Sequence, residues 1–222
     1  MIPAQLRDVA APTDDARATH RAFLDAYSGW AEPIYDLTRK PYLLGRDRAI
    51  RGILERPWSR LVEVGAGTGR NLAMLHAARP TATFAGLEPS APMRRTLGAR
   101  CPWARVADGF AEDVDYRALF GLARPDLILF SYSLSMVQDP ARALRHARTS
   151  LAPGGEVWVV DFGDLHRVPG RARVVFHRWL SSFHVVPPDR ALLAQERAKV
   201  EEGPLGYYRI ARLPRAVPPR IA

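Results

Sequence analysis

Cysteine, metal-ligand clusters and long apolar runs are scarce or missing in this sequence. The chain has one cysteine, Cys101, which excludes an internal disulfide and favours a reducing compartment. No apolar run reaches the roughly 18–20 residues that a membrane-spanning helix needs. The first residues include Arg7 and Asp8, where a signal peptide would be apolar. The histidines are scattered, so we expect a cytoplasmic protein that binds no metal.

The charge of the chain is strongly basic. Its 222 residues include 32 Lys or Arg against 23 Asp or Glu, a net charge of +9, and only Lys40 and Lys199 are lysines. Such an excess favours an anionic partner, either a nucleic acid or a phospholipid surface. A solvated basic face without a partner is the alternative, and charge alone does not separate these interpretations. A hydrophobic share of 47% suits one globular domain with a substantial core.

Apolar strand-like segments alternate with helical patterns through the middle of the chain. This alternation predicts an α/β fold in which a parallel sheet is covered by helices on both faces. The strands are expected at 60–64, 83–88, 104–107, 126–131 and 156–161. The helices between them are expected near 70–78, 91–99, 113–121 and 139–151.

Helical patterns also precede the first strand. One predicted helix begins at Asp14, and others follow it as far as Ile53. We predict that residues 1–55 form a helical cap over the functional site and that residues 56–222 form the core of the same single domain. Near the other end, residues 206–210 predict an edge strand followed by coil.

The most informative motif follows the first predicted strand. Gly65, Gly67 and Gly69 alternate along a tight strand-to-helix turn, and Glu63 lies two places before the first of them. A turn without Cβ atoms lets a ligand lie against the backbone. The NAD-binding pattern G-x-G-x-x-G would need a glycine where this chain has Arg70. An ordinary tight turn is the alternative interpretation.

The next predicted strand ends in Glu88, a natural acceptor for the two hydroxyls of a ribose, and Ser90 is placed to cap the helix that follows. The acidic residue, the alternating glycines and the strand-end glutamate together resemble the cofactor site of class I S-adenosylmethionine (SAM) methyltransferases. The resemblance implies SAM as the cofactor. It also implies a Rossmann-like fold with a mostly parallel sheet of seven, or six, strands and helices on both faces.

The other candidate cofactor residues lie at the predicted carboxyl ends of strands, where ligands of open α/β sheets bind. Glu63 and Asn71 are candidates for the amino and carboxylate groups of SAM, and Ala111 and Glu112 for its adenine. For Met93, simple core packing is the alternative. The predicted cofactor-binding residues are Glu63, Gly65, Ala66, Gly67, Gly69, Asn71, Glu88, Pro89, Met93, Ala111, Glu112 and Ser131.

The segment after the fourth predicted strand, residues 131–136, would face the reacting groups. It carries hydroxyls but no cysteine or lysine nucleophile, so we expect direct displacement on the methyl group and no covalent enzyme intermediate. An amine acceptor must first lose a proton, and Tyr132, Asp161 or water are the candidates that accept it. Aromatic faces would hold a growing quaternary ammonium.

Several further segments carry a narrower resemblance. They are residues 34–39, 44–46, 130–136, 160–164, 179–185 and 207–209. These segments resemble the betaine-lipid N-methyltransferases, which form diacylglyceryl-N,N,N-trimethylhomoserine by three SAM-dependent methylations. The resemblance implies a lipid substrate at an anionic membrane surface and a 3-amino-3-carboxypropyl transferase acting upstream. It also implies that Tyr35, as a catalytic residue, and Arg39 lie near the methionine end of SAM or the acceptor.

Residues 171–183 combine apolar residues at helical spacing with several arginines. A basic amphipathic helix of this kind can lie on an anionic bilayer, in agreement with a peripheral membrane protein. A helix that covers the sheet and exposes a solvated basic face is the alternative.

The sequence leaves the methyl acceptor open. Lys40-Pro41 and Pro140 stand where the betaine-lipid family more often has an aromatic residue. Methylation of phosphatidylethanolamine or of a small soluble amine is one alternative. Nucleic-acid methylation is another, although no N-P-P-Y-type motif is visible and no nucleic-acid partner is expected. A SAM-binding regulatory subunit is the alternative that is not an enzyme.

Overall fold

The computed structural model of the protein describes residues 14–29, 43–182 and 185–216. Its helices are α1 (Asp14–Gly29), α2 (Arg46–Leu54), α3 (Arg70–Ala78), α4 (Ala91–Arg100), α5 (Pro140–Ser150), α6 (Gly170–Ser181) and α7 (Arg190–Gln195). Its strands are β1 (Arg60–Val64), β2 (Thr83–Leu87), β3 (Arg105–Ala107), β4 (Leu127–Ser131), β5 (Glu156–Phe162), β6 (Lys199–Glu202) and β7 (Tyr208–Pro214). Short 3₁₀ turns occupy Ala118–Phe120, Leu134–Met136 and Pro204–Gly206.

The strands form one seven-stranded sheet in the order β3-β2-β1-β4-β5-β7-β6. The first five strands along the chain are parallel, and β7 is antiparallel to both β5 and β6. The five predicted strands are therefore confirmed, each to within a residue at either end. The strand order reverses between β1 and β4, and the glycine turn leaves β1 at this reversal. That is the position at which open α/β sheets bind ligands.

Hydrophobic clusters cover both faces of the sheet. Successive β1 residues alternate between them: Leu61 packs into the cluster that holds α2 and α3, and Val62 into the cluster that holds α5. Both side chains are fully buried. Burial on both faces explains why the strands read as nearly continuous apolar runs, as is typical of parallel sheets.

The helix predicted near 113–121 is wrong. This segment forms turns and the single 3₁₀ turn Ala118–Phe120. The Asp115 carboxylate accepts from the backbone N–H groups of Arg117 and Ala118, which holds the chain in a local turn in place of a helix. Gly121, with a φ of +59°, then ends the segment.

The edge strand predicted at 206–210 is also misplaced. The strand is β7, which begins at Tyr208 and lies inside the sheet, between β5 and β6. The real edge strand, β6, has the sequence Lys-Val-Glu-Glu, which has too few apolar residues to stand out as a strand. The predicted coil after Ile210 is strand as far as Pro214.

Helix α1 packs against α4, on the side of the sheet where the glycine turn emerges. Ser90 occupies the N-cap position of α4 as predicted, but its side chain makes no capping hydrogen bond. The carboxylate of Asp25, from α1, accepts from the Ala91 N–H instead, at 3.0 Å. Much of the predicted cap, including the helix expected around 34–38, lies outside the described residues, so the division at residue 55 stays a prediction.

Helix α6 confirms the helical pattern of residues 171–181; Ser182 is its C-cap, and residue 183 lies outside the described residues. Leu180 is buried against the sheet, and the His177 ring is 3.2 Å from the Asp164 carbonyl oxygen through Nε2. Among the described ranges, no helix is both long enough and apolar enough to cross a membrane.

Candidate active site

Two adjoining cavities lie at the carboxyl ends of β1, β2 and β4. Counting the part that is open to solvent, the larger has a volume of about 750 Å³ and the smaller about 480 Å³, and Gly65, Gly67 and Tyr132 border both. The larger cavity is also lined by the predicted residues Glu88, Pro89, Met93, Ala111 and Glu112. The smaller is also lined by the predicted residues Glu63, Ala66, Asn71 and Ser131. The predicted cofactor residues are thus brought together, except Gly69, which lies at the N-cap of α3.

The glycine turn needs its glycines for different reasons. Gly65, Gly67 and Gly69 have φ values of +67°, +54° and +80°. A Cβ on Gly67 would meet nothing within 4 Å, so this residue presents bare backbone to open space. A Cβ on Gly69 would lie 2.5 Å from Leu97 Cδ1 and 2.9 Å from Cys101 Sγ. Gly67 therefore leaves room for a ligand, whereas Gly69 lets the turn pack closely on α4.

Glu88 joins the glycine turn to the end of β2. Its Oε2 accepts from the Gly67 N–H at 2.8 Å and its Oε1 from the Ser90 N–H at 2.9 Å. Burial raises the pKa of the Glu88 carboxyl, and these two donors oppose the shift. Each carboxylate oxygen has a second lone pair, so the group can still accept from a ribose diol.

The smaller cavity contains buried polar groups whose hydrogen bonding is incomplete. Asn71 Nδ2 donates to Glu63 Oε1 at 2.6 Å. Within the described residues, Glu63 Oε2, Asn71 Oδ1 and Arg46 Nε have no hydrogen-bond partner. Burial raises the pKa of Glu63 to about 8 and lowers that of Arg46. Buried donor and acceptor atoms without a hydrogen-bond partner fit a ligand end that carries an ammonium and a carboxylate.

Arg46 was not predicted from the sequence as a site residue. It is the first residue of α2 and is only 7% exposed. Gly45 directs it inward: its φ is +84°, and a Cβ there would lie 2.3 Å from the Tyr208 ring. The signal was present in the segment 44–46, but no local pattern shows that this arginine reaches the glycine turn.

At the far end of the larger cavity, α1 adds two residues that the sequence also did not identify, His20 and Leu24. The neighbouring Arg21 guanidinium lies 5.2 Å from the Phe110 ring and donates to the Asp108 carboxylate at 2.6 Å. Met93 is 3% exposed and also borders this end. Leu24, Met93 and Phe110 thus give this end of the cavity an apolar surface, which suits a planar base.

Tyr132 stands where the two cavities meet. Its φ is +55°, and its hydroxyl donates to the Leu44 carbonyl. Burial raises the pKa of the phenol above its usual range. The adjacent Ser133 hydroxyl donates to the Val64 carbonyl at 2.6 Å. Both hydroxyls thus hold the loop after β4 against the end of β1 and the start of α2.

Asp161 lies behind this loop, 1% exposed. Its carboxylate accepts from the N–H groups of Ser135, at 2.9 Å, and Phe162, at 2.8 Å. Burial raises its pKa to about 6. This position makes Asp161 an anchor for the loop after β4. The other predicted catalytic residue, Tyr35, and the neighbouring Arg39 lie outside the described residues.

Comparison with known proteins identifies the family. A family model described as a methyltransferase domain matches residues 16–189. The chain belongs to this family, the class I SAM-dependent methyltransferases. Trans-aconitate 2-methyltransferase of Deinococcus radiodurans is 33% identical over 131 residues, which are 59% of this chain and 45% of that protein. The match therefore spans less than half of that relative.

Two further relatives agree with this family. An uncharacterized methyltransferase of Oceanobacillus iheyensis is 30% identical over 156 residues, 65% of this chain and 67% of that protein. A solved SAM-dependent methyltransferase of Thermotoga maritima, titled a possible histamine N-methyltransferase, is similar with a TM-score of 0.64 and 20% identity. This similarity covers 89% of this chain and all of that one, and it concerns the fold alone.

The methyltransferase site has the features that SAM requires. SAM is the cofactor that the family and the fold imply. Glu63, Asn71 and Arg46 would hold its amino acid end, and Glu88 would accept from its ribose. Gly67 leaves room for the ligand beside the backbone. Within the described part of the chain, no group of three or more His, Cys, Asp or Glu residues is arranged to hold a metal ion.

Proposed function

We propose that this methyltransferase methylates the amine of a lipid headgroup, converting diacylglycerylhomoserine to the trimethylated betaine lipid. The observation that carries the proposal is an aromatic cluster that begins at Tyr132, which borders both cavities, and leads to the exposed Trp179. Tyr132 contacts Phe162 with ring centroids 4.8 Å apart. Phe162 in turn lies 6.2 Å from Phe176 and 6.4 Å from Trp179, both on α6.

Aromatic faces suit the product of such a reaction. The ring face carries negative charge density and attracts a quaternary ammonium, which cannot donate hydrogen bonds. Tyr207 extends the same cluster, 5.5 Å from the Phe176 ring. The cluster therefore supports an amine that gains methyl groups. The resemblance of residues 130–136 and 160–164 to the betaine-lipid enzymes supports the same acceptor.

SAM, when bound, supplies an electrophilic methyl group, and the chain has to align the amine with it. The amine must reach this position unprotonated. The Tyr132 hydroxyl donates to a carbonyl, and burial raises its pKa. Asp161 accepts from two backbone N–H groups behind the loop. We therefore propose that water accepts the proton, while these two residues keep the loop after β4 in place.

The direct test is an acceptor assay. The purified protein is incubated with labelled SAM and liposomes that contain diacylglycerylhomoserine, and the lipids are analysed by mass spectrometry. We expect mono-, di- and trimethylated products. Parallel reactions contain phosphatidylethanolamine liposomes, small amines or RNA. Methylation confined to one of these acceptors, or SAM binding without any transfer, would overturn the lipid assignment; the second result would indicate a regulatory subunit.

A small anionic acceptor is the second candidate. It is favoured by the 33% identity to a relative named trans-aconitate 2-methyltransferase and by the net charge of +9, which would attract a polycarboxylate. Trans-aconitate therefore belongs in the same assay. A carboxylate acceptor forms a methyl ester, which mild base hydrolyses, whereas a methylated amine survives this treatment. Base stability of the product separates the two candidates.

A further inference from the structure

Helix α6 presents an unusual mixture of side chains to solvent. Val174 is 51% exposed, Val175 67% and Trp179 38%. The side chains of Arg171 and Arg178, on the same helix, are also exposed. Apolar side chains with this much exposed surface are the feature that needs an explanation, because the helix already has a buried side to attach it to the sheet.

These residues share one face of the helix. Residues 171, 174, 175, 178 and 179 follow the i, i+3, i+4, i+7, i+8 spacing that places side chains on one side of an α-helix. Leu180, which is 1% exposed, and the half-buried Phe176 lie on the opposite side. We call residues 171, 174, 175, 178 and 179 the outer face of α6.

The charge of the outer face has one sign. The helix sequence, Gly-Arg-Ala-Arg-Val-Val-Phe-His-Arg-Trp-Leu-Ser, contains arginines and no acidic residue. An occupant of this face has to offer anionic groups and an apolar layer within the width of one helix. A phospholipid bilayer meets both requirements, since arginine reaches lipid phosphates while valine and tryptophan enter the boundary below them. A nucleic acid offers the charge without the apolar layer.

We propose that the outer face of α6 docks on an anionic phospholipid bilayer. Trp179 belongs both to this face and to the aromatic cluster that leads through Phe162 to Tyr132. A bilayer bound at the outer face would thus lie next to one end of this cluster, whose other end, Tyr132, borders both cavities. The proposal rests on the proposed function for its biological purpose, since an enzyme that modifies a lipid headgroup has to work at the bilayer surface.

Vesicle sedimentation tests the docking surface without methyl transfer. We expect the full chain to bind phosphatidylcholine vesicles that contain phosphatidylglycerol, and binding to weaken as NaCl rises. Each basic residue at an anionic surface raises the affinity for the membrane about fivefold. The variant R171A/R178A should therefore bind about 25-fold more weakly. The variant V174D/V175D should lose binding at least tenfold, since it places carboxylates where the face enters the bilayer.

Matched controls lie elsewhere on the surface. Leu122 is 66% exposed and Arg95 is also exposed, so L122D and R95A make the same kinds of change away from α6. We expect both to bind vesicles like the parent. Circular dichroism melts confirm that each variant is folded. The docking proposal is wrong if the α6 variants bind vesicles as well as the controls do. It is also wrong if the parent binds neutral vesicles as well as anionic ones, or if it binds RNA and the α6 variants lose that binding to the same extent.

Methyl transfer to a glyceryl-homoserine headgroup without acyl chains separates this proposal from the proposed function. If both hold, the α6 variants methylate the soluble headgroup like the parent and lose activity only on vesicles. If the parent binds vesicles through α6 but methylates neither acceptor, docking stands and the proposed function fails. If the α6 variants bind and methylate vesicles like the parent, the docking proposal fails and the proposed function stands.

Discussion

The backbone N–H of Gly67 donates to Oε2 of Glu88 at 2.8 Å, and this bond joins the turn after β1 to the end of β2. The two residues are 21 positions apart in the chain but form one wall of the cofactor site. The same carboxylate that would accept from the ribose therefore also fixes the backbone beside it. Cofactor affinity and the shape of the turn depend on one side chain.

Replacing Glu88 should weaken SAM binding more than it destabilises the fold. In Glu88→Ala, two backbone donors lose their acceptor, and the ribose loses charge-assisted hydrogen bonds. We expect calorimetry to show a dissociation constant for SAM that is at least tenfold larger. The free energy of unfolding should fall by about 1–3 kcal/mol. The exposed Glu55→Ala should change neither quantity. Unchanged SAM affinity in Glu88→Ala would refute this placement of the ribose.

The glycines of the turn should respond differently to alanine. In Gly67→Ala, the alanine is strained only by the positive φ, which should lower the free energy of unfolding by about 1–2 kcal/mol. Its methyl group, however, enters the space left for SAM. Gly69→Ala adds steric clashes with Leu97 and Cys101, so it should lower the free energy of unfolding by about 2–5 kcal/mol in total. Denaturant melts and SAM titration of both variants check this order.

Gly98, in the last turn of α4, is the matched control for these two variants. Its φ is not positive, and a Cβ there would meet nothing within 4 Å. Gly98→Ala should therefore stabilise the helix by about 0.5–1 kcal/mol and leave SAM binding unchanged. If Gly67→Ala also leaves SAM binding unchanged, the cofactor does not approach this backbone.

The buried carboxyl of Glu63 should make the stability of the unliganded protein depend on pH. Its pKa is raised from 4.5 to about 8, so between these values the folded state binds a proton that the unfolded state has lost. Stability from this group is fully present below pH 4.5 and is lost as pH rises toward 8. Glu63→Gln has no ionisable carboxyl at this position, so its melting temperature should fall less than that of the parent between pH 5 and 8.

Comparing the parent with Glu63→Gln removes the contribution of Asp161, whose pKa of about 6 acts in the same direction in both proteins. Parallel pH curves for the two proteins would show that Glu63 stays ionised in the unliganded fold. In that case its charge is compensated by the arginine at position 46 without a ligand, and Arg46→Met should then raise the pKa of Glu63 and restore the difference.

Tyr132→Phe should separate a structural role from proton transfer. The ring contact with Phe162 remains, and the hydrogen bond to the Leu44 carbonyl is lost, at a cost of about 1 kcal/mol in unfolding free energy. Since we propose that water accepts the proton, methyl transfer should stay within a few-fold of the parent with the same pH profile. Tyr132→Ala, which also removes the ring, should lose much more. A loss of 100-fold or more in Tyr132→Phe would identify the phenol as the proton acceptor.

Local patterns were enough to predict the five parallel strands, the glycine turn and the place of Glu88 after β2, because strand periodicity and turn chemistry are encoded over a few neighbouring residues. Arg46 was missed because its role depends on α2 folding back onto the turn after β1. The place of β7 depends on pairing with β5 and β6, which no single segment reveals. The helix predicted at 113–121 was wrong because the side chain of Asp115 accepts hydrogen bonds from backbone donors that a helix would use.

Cys101 gives the cofactor turn a chemical reporter. Its thiol is fully buried and donates to the Gly69 carbonyl at 3.4 Å, directly behind the turn, and burial raises its pKa. A maleimide needs an accessible thiolate, so it can label this chain only while the turn or α4 is locally open. The labelling rate of the native protein thus measures how often the turn or α4 opens. Any ligand that holds the turn closed will slow this rate in proportion to its occupancy.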